Sequence, residues 1–120
     1  MLTIADLREF GADVDEALVR CMNREDFYLM LVNKAIADNR LSLLETQINE
    51  KNYDDAFETA HTLKGMYTNL SLTPVSEPVC RITELLREKT DTDYSALLTE
   101  AKSQFEILRS IYSKRHKYFY

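Results

Sequence analysis

A chain of 120 residues has the length of a single domain, and its contents of 45% hydrophobic and 29% charged residues are typical of globular proteins. Two glycines and two prolines are too few for the frequent turns of an all-β fold. The net charge of −5 argues against sequence-independent binding of nucleic acid. Because the sequence has no apolar run of membrane-spanning length, no signal peptide and only two isolated cysteines, we expect a cytoplasmic protein that does not contact membranes.

The N-terminal segment carries the start and stop signals of two short helices. Thr3 is a favourable N-cap and predicts a helix that runs to Phe10 and ends at Gly11 in a left-handed conformation. Asp13 is the expected N-cap of a second helix over residues 14–21.

A third helix is predicted to follow Asn23, which we interpret as its N-cap, with Asp26 completing an approximate capping box. Its apolar residues lie on nearly every side, so we expect this helix to be sandwiched between others; they are Phe27, Tyr28, Leu29, Leu31, Val32, Ala35 and Ile36. The break should fall at Asp38 and Asn39. A fourth helix over residues 40–51 follows, with one apolar face.

The central helix should begin at Asn52 or Tyr53 and continue to about Ser71. Thr73 and Pro74 read as a cap followed by proline at the first helical position. Pro78 leaves two alternatives, since either the next helix starts at residue 76 or its first turn is irregular.

After a polar loop, Asp93 is the expected cap of the last helix, whose apolar face comprises Tyr94, Leu97, Leu98, Ala101, Phe105, Leu108, Ile111 and Tyr112. Short connections favour antiparallel packing of neighbours. We therefore predict an all-α fold, an up-down antiparallel four-helix bundle with additional short N-terminal helices. It would form one domain over residues 1–120, with its bundle core at about residues 40–113.

The central helix contains the motif His61-Thr62-Leu63-Lys64-Gly65. At about 100° per residue, one face carries His61 together with Asp54, Phe57, Glu58, Lys64, Gly65 and Thr68, whereas the opposite face is the apolar stripe. We therefore predict that the histidine points away from the core. Glycine inside a helix is unfavourable relative to alanine, so its presence suggests that another molecule approaches the backbone there.

This motif resembles the signature of histidine-containing phosphotransfer (HPt) domains, His-x-Leu-Lys-Gly followed by an apolar residue and a second glycine. Here the apolar residue is Leu70, and Ser71 stands in place of the second glycine. The similarity in pattern extends over roughly residues 23–112. Ser71 retains a small side chain, so docking of a partner should survive.

The resemblance implies a function in a two-component phosphorelay. His61 would accept a phosphoryl group from, and donate it to, the aspartate of a response-regulator receiver domain, or take it from a hybrid sensor histidine kinase. Lys64 would stabilise the phosphoryl charge, while Phe57, Glu58, Gly65 and Thr68 would bind the partner. The chain would be a monomeric carrier without kinase activity or a cofactor, because the Mg²⁺ of such exchanges belongs to the receiver.

Other interpretations stay open. His61 alone could be an ordinary surface histidine, and Phe57 could pack under a neighbouring helix. The carboxylates of Asp54, Asp55 and Glu58 are better explained as complements of the helix dipole than as metal ligands. His116 lacks the following Leu-Lys-Gly, so we do not predict a second phosphorylation site there.

Two other classes of function remain. A sensor-kinase dimerisation helix also carries a phosphohistidine, but it has an acidic residue after the histidine and a nearby proline, which this sequence lacks. The other class is a non-catalytic helical interaction bundle that binds a signalling partner without using the phosphosite.

Overall fold

The computed structural model describes the backbone of residues 2–117 and the side chains of residues 2–114. Within these residues the fold is all-α, as predicted, and contains no strand. Seven helices follow one another: α1 (Ile4–Phe10), α2 (Val14–Arg20), α3 (Glu25–Ala37), α4 (Arg40–Asn49), α5 (Tyr53–Asn69), α6 (Thr73–Arg87) and α7 (Ser95–Lys117). None of the described helices is long and apolar enough to cross a membrane.

The predicted caps of the two short helices are confirmed. The Thr3 hydroxyl accepts a hydrogen bond of 3.1 Å from the backbone N–H of Asp6, whose carboxylate in turn accepts one from Thr3, so a capping box starts α1. The carboxylate of Asp13 accepts from the N–H of Glu16 at 3.2 Å and caps α2. Local sequence signals therefore fix both starts.

The predicted start of the third helix is wrong. Asn23 does not cap α3, because its backbone is left-handed with φ of 59° and the helix begins two residues later, at Glu25. The expectation that α3 is sandwiched is also wrong. Its buried residues form one face (Tyr28, Val32, Ala35 and Ile36), whereas Phe27 and Met30 are exposed.

Five helices (α1, α2, α4, α5 and α6) end in the same hydrogen-bonded motif, which is closed by a left-handed residue. These residues are Gly11, Met22, Lys51, Ser71 and Lys89, with φ values of 108°, 56°, 58°, 52° and 51°. After α5, for example, Leu72 N–H donates to the Tyr67 carbonyl and Ser71 N–H donates to the Thr68 carbonyl, which is the Schellman pattern. Of these five helices only α1 uses glycine for the turn, and the other four place a non-glycine residue in the left-handed conformation.

The second half of the fold resolves the remaining boundaries. Helix α6 begins at Thr73, so the predicted cap at Thr73 is wrong and Leu72 is the N-cap; Pro74 lies in the first turn and Pro78 lies inside the helix. Helix α7 begins at Ser95, so the predicted N-cap at Asp93 is one residue too early and Tyr94 holds that position; the carboxylate of Asp93 accepts a 2.9 Å hydrogen bond from the N–H of Ser95.

The core lies between α4, α5, α6 and α7. Helix α5 packs against both α4 and α6, and α6 packs against α7. The apolar face predicted for α4 is buried, since Leu41, Leu44 and Ile48 have at most 6% of their surface exposed. Helices α1 and α3 pack against α7, and Arg20 of α2 donates a hydrogen bond to the Asn69 carbonyl at the end of α5. Because α5 touches two other long helices, only part of its circumference is left for the surface.

Candidate functional site

The histidine of the central helix lies at the surface. Ala56, Ala60, Leu63 and Tyr67 form the buried face of α5, and each is at most 1% exposed. His61 is exposed, so the predicted direction of its side chain is confirmed. The reason is the helical period, because residues 60 and 63 occupy the core face on either side of it in sequence.

Phe57 is packed more closely than the sequence suggested. Its ring is half-buried and adjoins the core, and its centroid lies 5.8 Å from that of the His61 ring one turn later. The guanidinium of Arg87 on α6 lies over the same ring, with Cζ 5.1 Å from the centroid. The alternative that Phe57 packs against a neighbouring helix is therefore confirmed, and only part of the ring is left for a partner.

Lys64 reaches across to the next helix. Its Nζ lies 3.4 Å from Oε1 of Glu84 on α6, and its side chain is 34% exposed. The other oxygen of Glu84 accepts a hydrogen bond of 3.3 Å from Nε of Arg87. The hydrogen bonds from Arg87 and Lys64 lower the pKa of Glu84, so the carboxylate stays ionised between two cations.

Gly65 faces open space. A Cβ atom built at this position would meet no atom within 4 Å, so no packing within the described chain requires glycine here. Glu58 and Thr68 are exposed on the same helix, and the Thr68 hydroxyl lies 4.0 Å from the sulfur of Cys80. The exposed side of α5 thus combines a nucleophilic imidazole, a cation one turn later and a gap in the side-chain surface.

The carboxylates near the start of α5 do not form a metal site. Among the residues whose side chains are described, no group of three or more His, Cys, Asp or Glu side chains is arranged to hold a metal ion. The side chain of His116 lies outside the described residues.

Comparison with protein families gives a match that covers most of the helical core. The model of the Hpt domain matches residues 34–111, well over half of the chain. The protein belongs to the Hpt domain family. The matched region begins inside α3 and ends inside α7, so α1 and α2 precede it. No curated protein and no solved structure matches the chain.

Membership of the Hpt domain family indicates the general function of this protein. Domains of the family carry phosphoryl groups in phosphorelays, where they interact with receiver domains and kinases, and they are not catalysts in themselves. A phosphotransfer role therefore follows for this chain.

The Hpt domain departs from the family pattern at Ser71, and the structure gives that position a different location from the one expected. It lies beyond the end of α5 rather than on the helix, it is 4% exposed, and its φ of 52° is of the kind that favours glycine. Its hydroxyl donates to Oε1 of Glu16 at 2.9 Å and accepts from Nη1 of Arg20 at 3.0 Å. The serine therefore joins α2 to the end of α5.

Sequence reasoning missed two residues of the site, Glu84 and Arg87. Both lie on α6, three residues apart, and form an ion pair with each other. Their spacing is a recognisable sequence signal, but nothing in the sequence showed that this pair faces the Lys64 side of α5. Only the packing of α6 against α5 places them beside the motif.

Proposed function

We propose that this Hpt domain exchanges phosphoryl groups at His61 with the aspartate of a receiver domain. The observation that carries the proposal is the exposed imidazole of His61, one turn before Lys64 and beside the open space at Gly65. No other histidine occurs among residues 2–114.

The proposed step uses a neutral imidazole. The lone pair of its unprotonated nitrogen attacks the phosphorus of an aspartyl phosphate on the receiver, while the other nitrogen keeps its proton. A P–N bond forms, the P–O bond to the aspartate breaks, and the carboxylate leaves with the electron pair. The reverse step returns the phosphoryl group, so the chain needs no kinase activity of its own.

The residues around His61 would divide the remaining tasks. Lys64 would offset the charge of the phosphoryl oxygens as a compact cation. Glu58, Gly65, Thr68 and the uncovered part of Phe57 would contact the receiver. Because Gly65 presents no side chain, a receiver could bring its aspartate close to the helix backbone there.

We propose that α4, α5, α6 and α7 form an up-down antiparallel bundle, supported by the packing of α5 on α4 and α6 and of α6 on α7. The chain would act as one domain and as a monomer, and its cytoplasmic location stays a prediction.

The decisive experiment incubates the protein with Mg²⁺ and a panel of receiver domains phosphorylated by acetyl phosphate. The wild type should acquire a label that is labile in acid and stable in base, as a phosphohistidine is. His61→Gln should remove the label and keep the helicity, whereas the matched variant His116→Gln should keep both. Labelling of His61→Gln, or an acid-stable label, would refute the proposal and favour a helical interaction bundle.

A further inference from the structure

One carboxylate on α6, that of Glu84, is shared by two cations, Lys64 and Arg87. Glu84 contacts Nζ of Lys64 through Oε1 at 3.4 Å and Nε of Arg87 through Oε2 at 3.3 Å. All three side chains are partly open to solvent, with 34%, 58% and 45% of the surface exposed for Lys64, Glu84 and Arg87. The group therefore combines two positive charges with one negative charge at the edge of the motif.

The two cations are held differently. Arg87 has a second contact, because its guanidinium also lies over the Phe57 ring at 5.1 Å. Glu84 is the one ionic partner of the Lys64 ammonium among the described side chains. Lysine also carries its charge on a flexible four-carbon stem, whereas the guanidinium is planar and fixed by stacking. Of the two cations, Lys64 is thus the one that can leave Glu84 at little cost.

Phosphorylation would add about two negative charges one helical turn from Lys64. A phosphoryl group would then compete with Glu84 for the same ammonium. If Lys64 moves, Glu84 is not left without a partner, because Arg87 still donates to its other oxygen. Lys64 can therefore move from Glu84 to the phosphoryl group, and each of these two anions still contacts at least one cation.

We propose that Glu84 is a positioning residue that binds Lys64 in the unphosphorylated protein, and that the phosphoryl group on His61 then replaces Glu84 as the partner of Lys64. Arg87 remains bound to Glu84 throughout. This proposal rests on the phosphotransfer function proposed above. Glu84 acts through Lys64 and does not touch the phosphoryl group. Because its hold on the ammonium opposes the exchange, Glu84 weakens the contact of Lys64 with the phosphoryl group. Arg87 has the opposite effect. It offsets part of the negative charge of Glu84, so Glu84 binds the Lys64 ammonium less strongly.

The test loads His61 with phosphoramidate, which needs no receiver, and follows the phosphoryl group by ³¹P NMR as pH is varied. A cation near the phosphoryl oxygens lowers their second pKa. Glu84→Gln should lower this pKa by about half a pH unit relative to wild type, and Arg87→Met should raise it. Glu77→Gln removes the same charge from an exposed position of α6 and is the matched control, with a smaller shift.

The double variant Lys64→Gln/Glu84→Gln separates positioning from the simple loss of a negative charge. In the Lys64→Gln background, Glu84→Gln should produce no larger shift than Glu77→Gln does. An undiminished shift without Lys64, or equal shifts for Glu84→Gln and Glu77→Gln in the wild-type background, would overturn the proposal. Failure of the receiver panel to label a protein that phosphoramidate loads would refute the relay function by itself, and failure of both donors to load His61 would overturn both.

Discussion

The hydroxyl of Tyr28 on α3 donates a hydrogen bond of 2.8 Å to the carbonyl of Leu70, the C-cap residue of α5. The Tyr28 side chain is fully buried, and burial raises its pKa to about 12. This bond ties the helix that precedes the bundle to the end of the helix that carries His61. It also satisfies one of the carbonyls that every helix leaves unpaired at its C-terminus.

A second buried tyrosine provides a contrast. Tyr67 is 1% exposed, but its hydroxyl has no hydrogen-bond partner among the described residues, and burial raises its pKa strongly. We expect Tyr28→Phe to lower the free energy of unfolding by about 1–2 kcal/mol, because it leaves the Leu70 carbonyl unpaired. Tyr67→Phe should leave stability unchanged or raise it by up to about 1 kcal/mol. Urea unfolding of both variants tests this, and an equal loss in the two would contradict it.

Ser71 should show two opposing effects. Ser71→Ala keeps a Cβ atom in the left-handed conformation and removes the hydroxyl that joins Glu16 and Arg20, so we expect a loss of about 1–2 kcal/mol. Ser71→Gly loses the same hydrogen bonds but relieves about 1 kcal/mol of backbone strain. Glycine should therefore be less destabilising than alanine in chemical unfolding. The reverse order would show that the left-handed conformation is not maintained in solution.

Gly65 should separate stability from function. Because a Cβ atom there meets nothing within 4 Å, Gly65→Ala should raise the free energy of unfolding by about 0.5–1 kcal/mol. Gly65→Glu should remain folded but slow phosphotransfer from a receiver by about tenfold or more, through bulk and charge repulsion. Ser103→Glu, at an exposed position of α7, is the matched control and should transfer normally. Normal transfer by a folded Gly65→Glu would argue against docking at this point.

Lys64 should affect transfer without being essential. Lys64→Ala removes the cation proposed to contact the phosphoryl group, and we expect a reduction in transfer rate of about three- to tenfold, in keeping with the modest strength of exposed charge contacts. Lys102→Ala is a suitable control, since Lys102 also pairs with a carboxylate, Glu45 at 2.8 Å, but between α7 and α4. Rapid-quench measurements should show normal transfer for the control. Equal phosphotransfer rates for the two variants would show that Lys64 does not contribute to transfer.

The proposed carrier should be a monomer. Most apolar side chains of the long helices lie in the internal core or pack against it, and we expect light scattering to give about the 14.0 kDa of one chain. The measurement should be repeated with Gly65→Glu, whose added charge would disrupt any dimer formed through the His61 face. A dimer of the wild type that dissociates in this variant would show that the proposed docking surface is already occupied.

Much of the candidate site could be predicted because its determinants are local. The 3.6-residue period alone places His61 opposite Leu63 and Tyr67, so the outward direction of the imidazole follows from a short stretch of sequence. The same holds for the caps at Thr3 and Asp13, where a side chain bonds to a backbone N–H three residues away. Such contacts form within one helix turn and need no information about the rest of the chain.

The sequence by itself determined the helical class, most helix boundaries and the exposed histidine, because periodicity and capping act over a few residues. Only the tertiary structure decided that α3 buries a single face and that Ser71 occupies a left-handed turn beside α2. It also decided that Lys64 meets Glu84, 20 residues away along the chain. These features depend on which helices become neighbours and on their rotation about their axes. Those choices are settled by burial of the whole core, and a local pattern does not encode them.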